Sequence, residues 1–284
     1  MDMGASLGTI ERRTMHATVV HPVPRRADVV REQLAAVGLS LRREAAVVGA
    51  LMALVSALIL WREVTRGHEW VELAPEILVP AILVAFLAPM AVWKGEGPDR
   101  RGYHLAMPVE RGFHAMVRSA AGLAWVLAAM AAYVAWLSLL MLMTDGNVRS
   151  VAWMQWVGPV AAAVVLYCLG SAVTLWSAHP WRWFGGGAVA YAFLSTLGEP
   201  EWGGATLLDA PAALLNGRYG FFTVASGLTP VRVAETLTRG DAVVGHYTRI
   251  SHVALAGSWA MATWLWVAAA VALFAWAAHR QPER

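Results

Sequence analysis

Charged residues and prolines cluster in the stretch 93–114, between two long apolar runs, and they are the first candidates for a functional site. Pro108 suits the first turn of a short helix, because its fixed φ fits that turn and its missing N–H would have had no partner there. A short charged helix between two apolar runs is typical of a surface on which another protein docks. The candidate docking residues in this stretch are Asp99, Arg100, Glu110 and Arg111.

A second set of polar residues lies inside an apolar run. Ser171, Thr174 and Ser177 recur at intervals of three, which places them on roughly one face of a helix. Such hydroxyls can line a path for a cargo, although hydrogen bonding between helices is their commoner use in membranes. Both interpretations stay open, and the three residues are candidates for lining a cleft.

The sequence offers little support for haem binding, nucleophilic catalysis or ion-coupled transport. None of the nine histidines lies deep in an apolar run, as a bis-histidine haem would require. No serine, histidine and acid share a spacing typical of nucleophilic catalysis, and no carboxylate lies at the centre of a run, where ion-coupled transporters place one. We therefore predict no catalytic, metal or cofactor site and no nucleic-acid partner. One alternative stays open, an intramembrane enzyme with polar groups gathered from the segment 199–252.

Long apolar runs must position all of these groups. Hydrophobic residues make up 58% of the 284 residues and charged residues 14%. A helix rises ~1.5 Å per residue, so about 20 apolar residues cross a hydrocarbon core of ~30 Å. We predict an all-α polytopic membrane protein with about six transmembrane helices. The predicted spans are 45–61, 74–93, 118–143, 151–178, 183–198 and 253–278, and whether the fifth crosses fully stays open.

The N-terminal segments have a different character from the spans. Residues 1–27 lack helical periodicity, which predicts a flexible cytoplasmic tail. In 28–43, an apolar stripe predicts an amphipathic helix lying in the membrane interface, the alternative being a solvated helix before a span. That stripe consists of Val30, Leu34, Val37 and Leu41.

The predicted membrane domain covers 44–279 and is followed by a short cytoplasmic tail, 280–284. Within it, 94–118 is a cytoplasmic loop, and 199–252 is an extracytoplasmic or re-entrant segment with an open role. Its moderately apolar stretches, 205–215 and 221–228, suit short re-entrant or interfacial helices.

Basic residues predict the orientation. With the N-terminus inside, 13 arginines and lysines lie near the inner ends of the spans, against three in the short outer loops. The inner group is Arg25, Arg26, Arg31, Arg42, Arg43, Lys94, Arg100, Arg101, Arg111, Arg118, Arg182, Arg280 and Arg284, and the outer group is Arg62, Arg66 and Arg149. We predict a multi-pass protein of the cell (inner) membrane with both termini cytoplasmic.

In this layout the chain resembles the permease subunits of ABC transporters of the ABC-2 type. In that family an N-terminal interface helix precedes six spans, and the loop after the second span carries a glutamate, a glycine and a Leu-Pro-Val-Ser-Arg-like motif at a coupling helix. Here Glu96-Gly97 and Met107-Pro108-Val109-Glu110-Arg111 are similar to those elements, with Glu110 in place of a small polar residue. Arg118 stands where the family often has a basic residue. The resemblance implies that 94–118 docks on an ATPase, and it adds Glu96, Pro108 and Arg118 to the candidate docking residues.

The resemblance also implies a partner. The only lysine, Lys94, is followed by glycine, so the chain has no nucleotide-binding loop of the Gly-x-x-x-x-Gly-Lys-Ser/Thr type. The expected protein is therefore not an enzyme but the membrane-spanning permease subunit of an ATP-driven exporter, served by a separate ATP-binding-cassette ATPase. A second permease copy, as a homodimer or heterodimer, completes the expected assembly, with a hydrophobic or amphipathic cargo. The alternative is a non-transporting accessory or structural subunit of a membrane complex.

Overall fold

The computed structural model describes residues 26–65, 75–94, 111–143, 151–177, 179–196, 209–239 and 242–280, and these form eight helices and one β-hairpin. The helices are α1 (Arg26–Thr65), α2 (Pro75–Trp93), α3 (Arg111–Met143), α4 (Trp153–Trp176), α5 (Pro180–Thr196), α6 (Asp209–Asn216), α7 (Phe221–Ser226) and α8 (Ala256–Arg280); the strands are β1 (Thr229–Arg239) and β2 (Ala242–Val253).

The predicted helical character of the protein is confirmed, but not the number of spans. Among the described residues, α3, α4 and α8 are long and apolar enough to cross a membrane. They correspond to the predicted spans 118–143, 151–178 and 253–278. The described residues of the other predicted spans, 45–61, 74–93 and 183–198, are also helical, as parts of α1, α2 and α5. The structure thus shows three candidate spans within the described residues rather than six.

The prediction of a separate interface helix over 28–43 is wrong. Helix α1 continues without a break from Arg26 to Thr65, a length of about 60 Å. The physical reason is local, because no proline interrupts the segment and the charged residues at 42–44 are compatible with a helix interior. The apolar stripe is only partly used for packing. Val37 is buried, whereas Val30 and Leu34 are largely exposed.

Helix α4 lies at the centre of the bundle and packs against α2, α3, α7 and α8. Its neighbours α2 and α8 run parallel to it, because the C-terminal ends of all three helices meet in one cluster that contains Val92, Leu175 and Ala277, and earlier residues of each also pack together. Helix α3 runs antiparallel to α4, with its first turns beside the C-terminal half of α4. Because α4 and α8 are parallel, the chain must return from the C-terminal end of α4 to the N-terminal end of α8.

The segment between α4 and α8 makes that return. Helix α5 starts beside the C-terminal end of α4, where the Trp176 and Trp183 rings lie 5.3 Å apart. Helix α7 packs near the N-terminal end of α4, as Gly158 approaches the carbonyl of Val224. Between these points, α5 is the longest described helix, with 17 residues spanning about 25 Å.

The helical prediction over 205–215 and 221–228 is confirmed in part by α6 and α7, but the hairpin that follows was not predicted. Strands β1 and β2 pair antiparallel from Thr229 opposite Val253 to Arg239 opposite Ala242, with one irregularity at Leu237/Thr238. The hairpin begins just after Gly227, the left-handed C-cap of α7 (φ 72°). It is the one departure from an all-helical fold in the described chain.

Candidate docking site

The clearest polar contact at the predicted docking loop is made by Arg118. Its Nε and Nη2 donate hydrogen bonds of 3.0 and 2.7 Å to the carbonyl oxygen of Val92, and its guanidinium lies 5.7 Å from the ring centre of Trp93. Val92 belongs to the last turn of α2, whose carbonyls have no partner within the helix and carry the negative end of its dipole. Arg118 therefore links the first turns of α3 to the end of α2, and these are the two helices that flank the loop.

A second contact lies behind this one. The Tyr167 hydroxyl on α4 donates a 3.0 Å hydrogen bond to the carbonyl of Ser119, the residue after Arg118. Gly122, one turn further along α3, faces the same hydroxyl and the side chain of Val92, and a Cβ there would overlap both. The absence of a side chain at Gly122 lets α2, α3 and α4 meet closely at this level.

The first half of α1 packs against the same region. Val37 is fully buried in a cluster with residues of α2 and α3. The indole N–H of Trp125 donates to the carbonyl of Leu34 at 3.1 Å, and the Arg26 guanidinium lies 5.6 Å from the ring centre of Phe113. The segment 28–43 and the start of α3, which belongs to the predicted docking loop 94–118, are therefore neighbours.

The C-terminal ends of α4 and α8 complete this end of the bundle. Ala172, Leu175 and Ala277 belong to the same cluster as Val37. Arg280 lies in the last turn of α8, with its guanidinium 4.9 Å from the ring centre of Trp276. A cation there complements the negative end of the helix dipole. Five helices thus meet where Lys94 and Arg280 are exposed.

The structure places the other predicted docking residues less fully. Arg111 is the first residue of α3. The remaining five lie outside the described residues; they are Glu96, Asp99, Arg100, Pro108 and Glu110.

Of the three hydroxyl residues predicted to line a cleft, the two that lie within α4 are buried in this chain. Ser171 is fully buried, and Thr174 is nearly so and donates to the carbonyl of Ser171 at 2.9 Å. Ser177 ends the helix, where its Oγ accepts a 3.1 Å hydrogen bond from the backbone N–H of His179. Their role in lining a cleft stays a prediction, and it requires the helices around α4 to separate.

In the part of the chain described, no three residues among His, Cys, Asp and Glu are grouped as a metal site would need. The one cysteine, Cys168, is buried in a cluster with Val165 and Ala270.

Comparisons with protein-family models, with curated proteins and with solved structures found no match to this chain.

Sequence reasoning missed the contacts made by Trp125 and Tyr167. Both lie in apolar runs, where an aromatic residue is indistinguishable from ordinary core. The available signal was the hydrogen-bonding group on each ring, since a buried Tyr or Trp usually finds an acceptor.

Proposed function

We propose that this chain is the membrane-spanning permease subunit of an ATP-driven exporter of the ABC-2 type, coupled to a separate ATP-binding-cassette ATPase. The observation that carries the proposal is the pair of hydrogen bonds from Arg118 to Val92. They link the two helices on either side of the loop 94–118. A displacement of that loop by a docked ATPase would therefore move α2 and α3 together.

The packing of α1 supports the same mechanism. Its N-terminal half contacts the start of α3 through Val37 and Trp125, so it provides a second surface beside the loop. An ATPase docked under both segments would act on three helices at once. Because α4 is the common neighbour of α2, α3 and α8, their movement would be transmitted to the centre of the bundle.

The path of the chain supports six crossings. Helices α2, α4 and α8 end where α3 and the first half of α1 lie, and α5 starts beside the end of α4. If α5 leads back to the other end of α4, the helices alternate in direction as six spans would. The basic residues at the end shared by Lys94, Arg118 and Arg280 favour the cytoplasmic side for that end, which gives cytoplasmic termini in an inner membrane. The second permease copy belongs to this proposal, as does the hydrophobic or amphipathic cargo.

A mild-detergent pull-down from native membranes, followed by mass spectrometry, tests the partner directly. We expect a stoichiometric P-loop ATPase. Recovery of other membrane proteins intact without an ATPase would contradict the proposal and favour the accessory-subunit alternative.

Charge reversal then tests the docking site. We expect the double substitution Glu110→Lys and Arg111→Glu to abolish stimulation of the partner's ATPase activity by this chain, while membrane insertion is unchanged. Arg280→Glu is the matched control, because Arg280 is exposed at the same end of the bundle but outside the proposed contact. Equal stimulation by the double variant and the control would rule out the assigned contact.

A further inference from the structure

A groove of about 1010 Å³ opens between α1, α2 and α3, and we name it the lateral groove. On α1 its lining runs from Gly38 to Ala53, a distance of about 22 Å along the helix. On α3 its lining runs from one tryptophan to another and includes three alanines. The lining residues on α3 are Trp125, Val126, Ala128, Ala129, Ala132, Tyr133 and Trp136.

The groove is apolar along most of its length and charged at one end. Arg42, Arg43 and Glu44 line it on α1, one turn beyond Gly38 and on the side of the proposed docking site. Both arginines are exposed. The Oε2 atom of Glu44 is buried, and within the described chain it has no hydrogen-bond partner. A buried carboxylate oxygen without a donor is costly, so this atom calls for a donor from outside the described residues.

The groove's dimensions and charges fit one kind of occupant. A lateral apolar channel beside membrane-crossing helices is open to acyl chains, and 22 Å exceeds half of a ~30 Å hydrocarbon core, so it reaches from mid-membrane to the headgroups. Guanidinium groups are good partners for phosphate, and a carboxylate pairs with an ammonium group. Two arginines beside one carboxylate therefore complement a headgroup that carries both charges.

We propose that the lateral groove binds one membrane glycerophospholipid whose headgroup carries a phosphate and a primary ammonium. The phosphate contacts Arg42 and Arg43, and the ammonium donates to Glu44. One acyl chain lies along the alanines of α3, between Trp125 and Trp136. This inference does not depend on an ATPase, and its test contains none, so the two proposals can fail separately.

Native mass spectrometry of the purified full-length chain tests the proposal, with dioleoylphosphatidylethanolamine titrated onto delipidated protein in detergent. We expect one tightly bound lipid per chain. Because charge-assisted hydrogen bonds are among the stronger polar contacts, the double substitution Arg42→Gln and Arg43→Gln should weaken binding roughly tenfold or more. Arg31→Gln is the control, since Arg31 is exposed on the same helix but outside the groove. Equal affinity in the double variant and the control would overturn the site.

Headgroup and chain are tested separately. Glu44→Gln should remove the preference for this lipid over dioleoylphosphatidylglycerol, which has the phosphate but no ammonium. Dioleoylglycerol and glycerophosphoethanolamine, which lack the headgroup and the chains respectively, should both bind weakly. Tight binding of either fragment alone, or an unchanged preference in Glu44→Gln, would contradict the proposed mode.

Filling the groove is the third test. Ala132→Trp should lower lipid occupancy, whereas Ala131→Trp, on an exposed position outside the lining, should not. Equal occupancy in the two variants would contradict the proposal. Loss of self-association in Ala132→Trp without loss of lipid would show that a second copy of the chain covers the groove, which would also overturn it. The arginine variants keep the proposal testable if the tryptophan variant misfolds.

Discussion

Single residues at the end of the bundle where α2 ends and α3 begins decide how closely its helices meet. Arg118 satisfies a carbonyl at the end of α2, and Tyr167 satisfies one at the start of α3. The Val92 carbonyl has no partner within its own helix, and the buried Tyr167 hydroxyl would be costly to leave unpaired. Arg118 was named from the sequence as a docking residue, but its bonds to Val92 give it a bracing role within the chain as well.

Replacing Arg118 should therefore lower stability before it affects any partner. We expect Arg118→Ala to lose two hydrogen bonds to Val92, each charged bond contributing about 1.5–3 kcal/mol at most, and to lower the thermal unfolding midpoint in detergent. The unfolding midpoint of Arg118→Lys should lie between those of the unaltered protein and Arg118→Ala, because an ammonium group cannot donate two hydrogen bonds in the planar geometry of a guanidinium. Arg182→Ala, at an exposed position, is the control. A midpoint for Arg118→Ala equal to that of the control would mean that the bonds contribute nothing.

Gly122 offers a second residue-scale prediction. Gly122→Ala should destabilise the chain by about 1–3 kcal/mol, because the added Cβ meets the Tyr167 hydroxyl and the Val92 side chain. Gly112→Ala on the same helix has open space around it and should be nearly neutral. Removing the hydroxyl in Gly122→Ala/Tyr167→Phe should recover part of the loss. A double-mutant cycle by thermal unfolding measures this coupling, and strict additivity would refute the contact.

At the scale of elements, the sequence predicts where helices form but not where one helix ends and the next begins. Six apolar runs stand out by length, and each is helical in the structure. The join between 28–43 and 45–61 was misplaced because a change from amphipathic to apolar character does not break a helix; only a residue such as proline does so locally. The hairpin was missed for another reason. Its valines and threonines alternate imperfectly with charged residues, so the period of two that marks a strand is weak in β1 and β2.

The packing of α2 on α4 depends on Gly170. A Cβ there would lie 2.8 Å from the carbonyl oxygen of Phe86 and 2.9 Å from Cγ of Pro89. Backbone cannot yield as a side chain can, so we expect Gly170→Val to separate the two helices and lower the unfolding midpoint in detergent. Gly186→Val, on α5 with nothing near its Cα, is the matched control. A smaller loss in Gly170→Val than in the control would contradict this arrangement of α2 and α4.

At the scale of the whole molecule, the direction of each helix follows from contacts that the sequence does not encode locally. Counting basic residues predicted the inner side, but only packing shows that α2, α4 and α8 are parallel neighbours. The residues predicted to line a cleft show what helical periodicity cannot predict. Periodicity placed Ser171 and Thr174 on one face of α4, yet both are buried, because periodicity does not tell which face meets a neighbouring helix and which meets a cavity.

Cysteine labelling tests this whole-molecule arrangement. In a Cys168→Ala background, Lys94→Cys and Arg280→Cys place thiols at the end of the bundle where α2, α3 and α8 meet, and Gly257→Cys places one at the start of α8, at the opposite end. All three positions are exposed. We expect a membrane-impermeant maleimide to label Gly257→Cys in intact cells and the other two only after permeabilisation. Labelling of all three from one side would contradict the proposed crossing by α5 from one end of α4 to the other. Labelling of Lys94→Cys and Arg280→Cys from opposite sides would contradict the parallel course of α2 and α8.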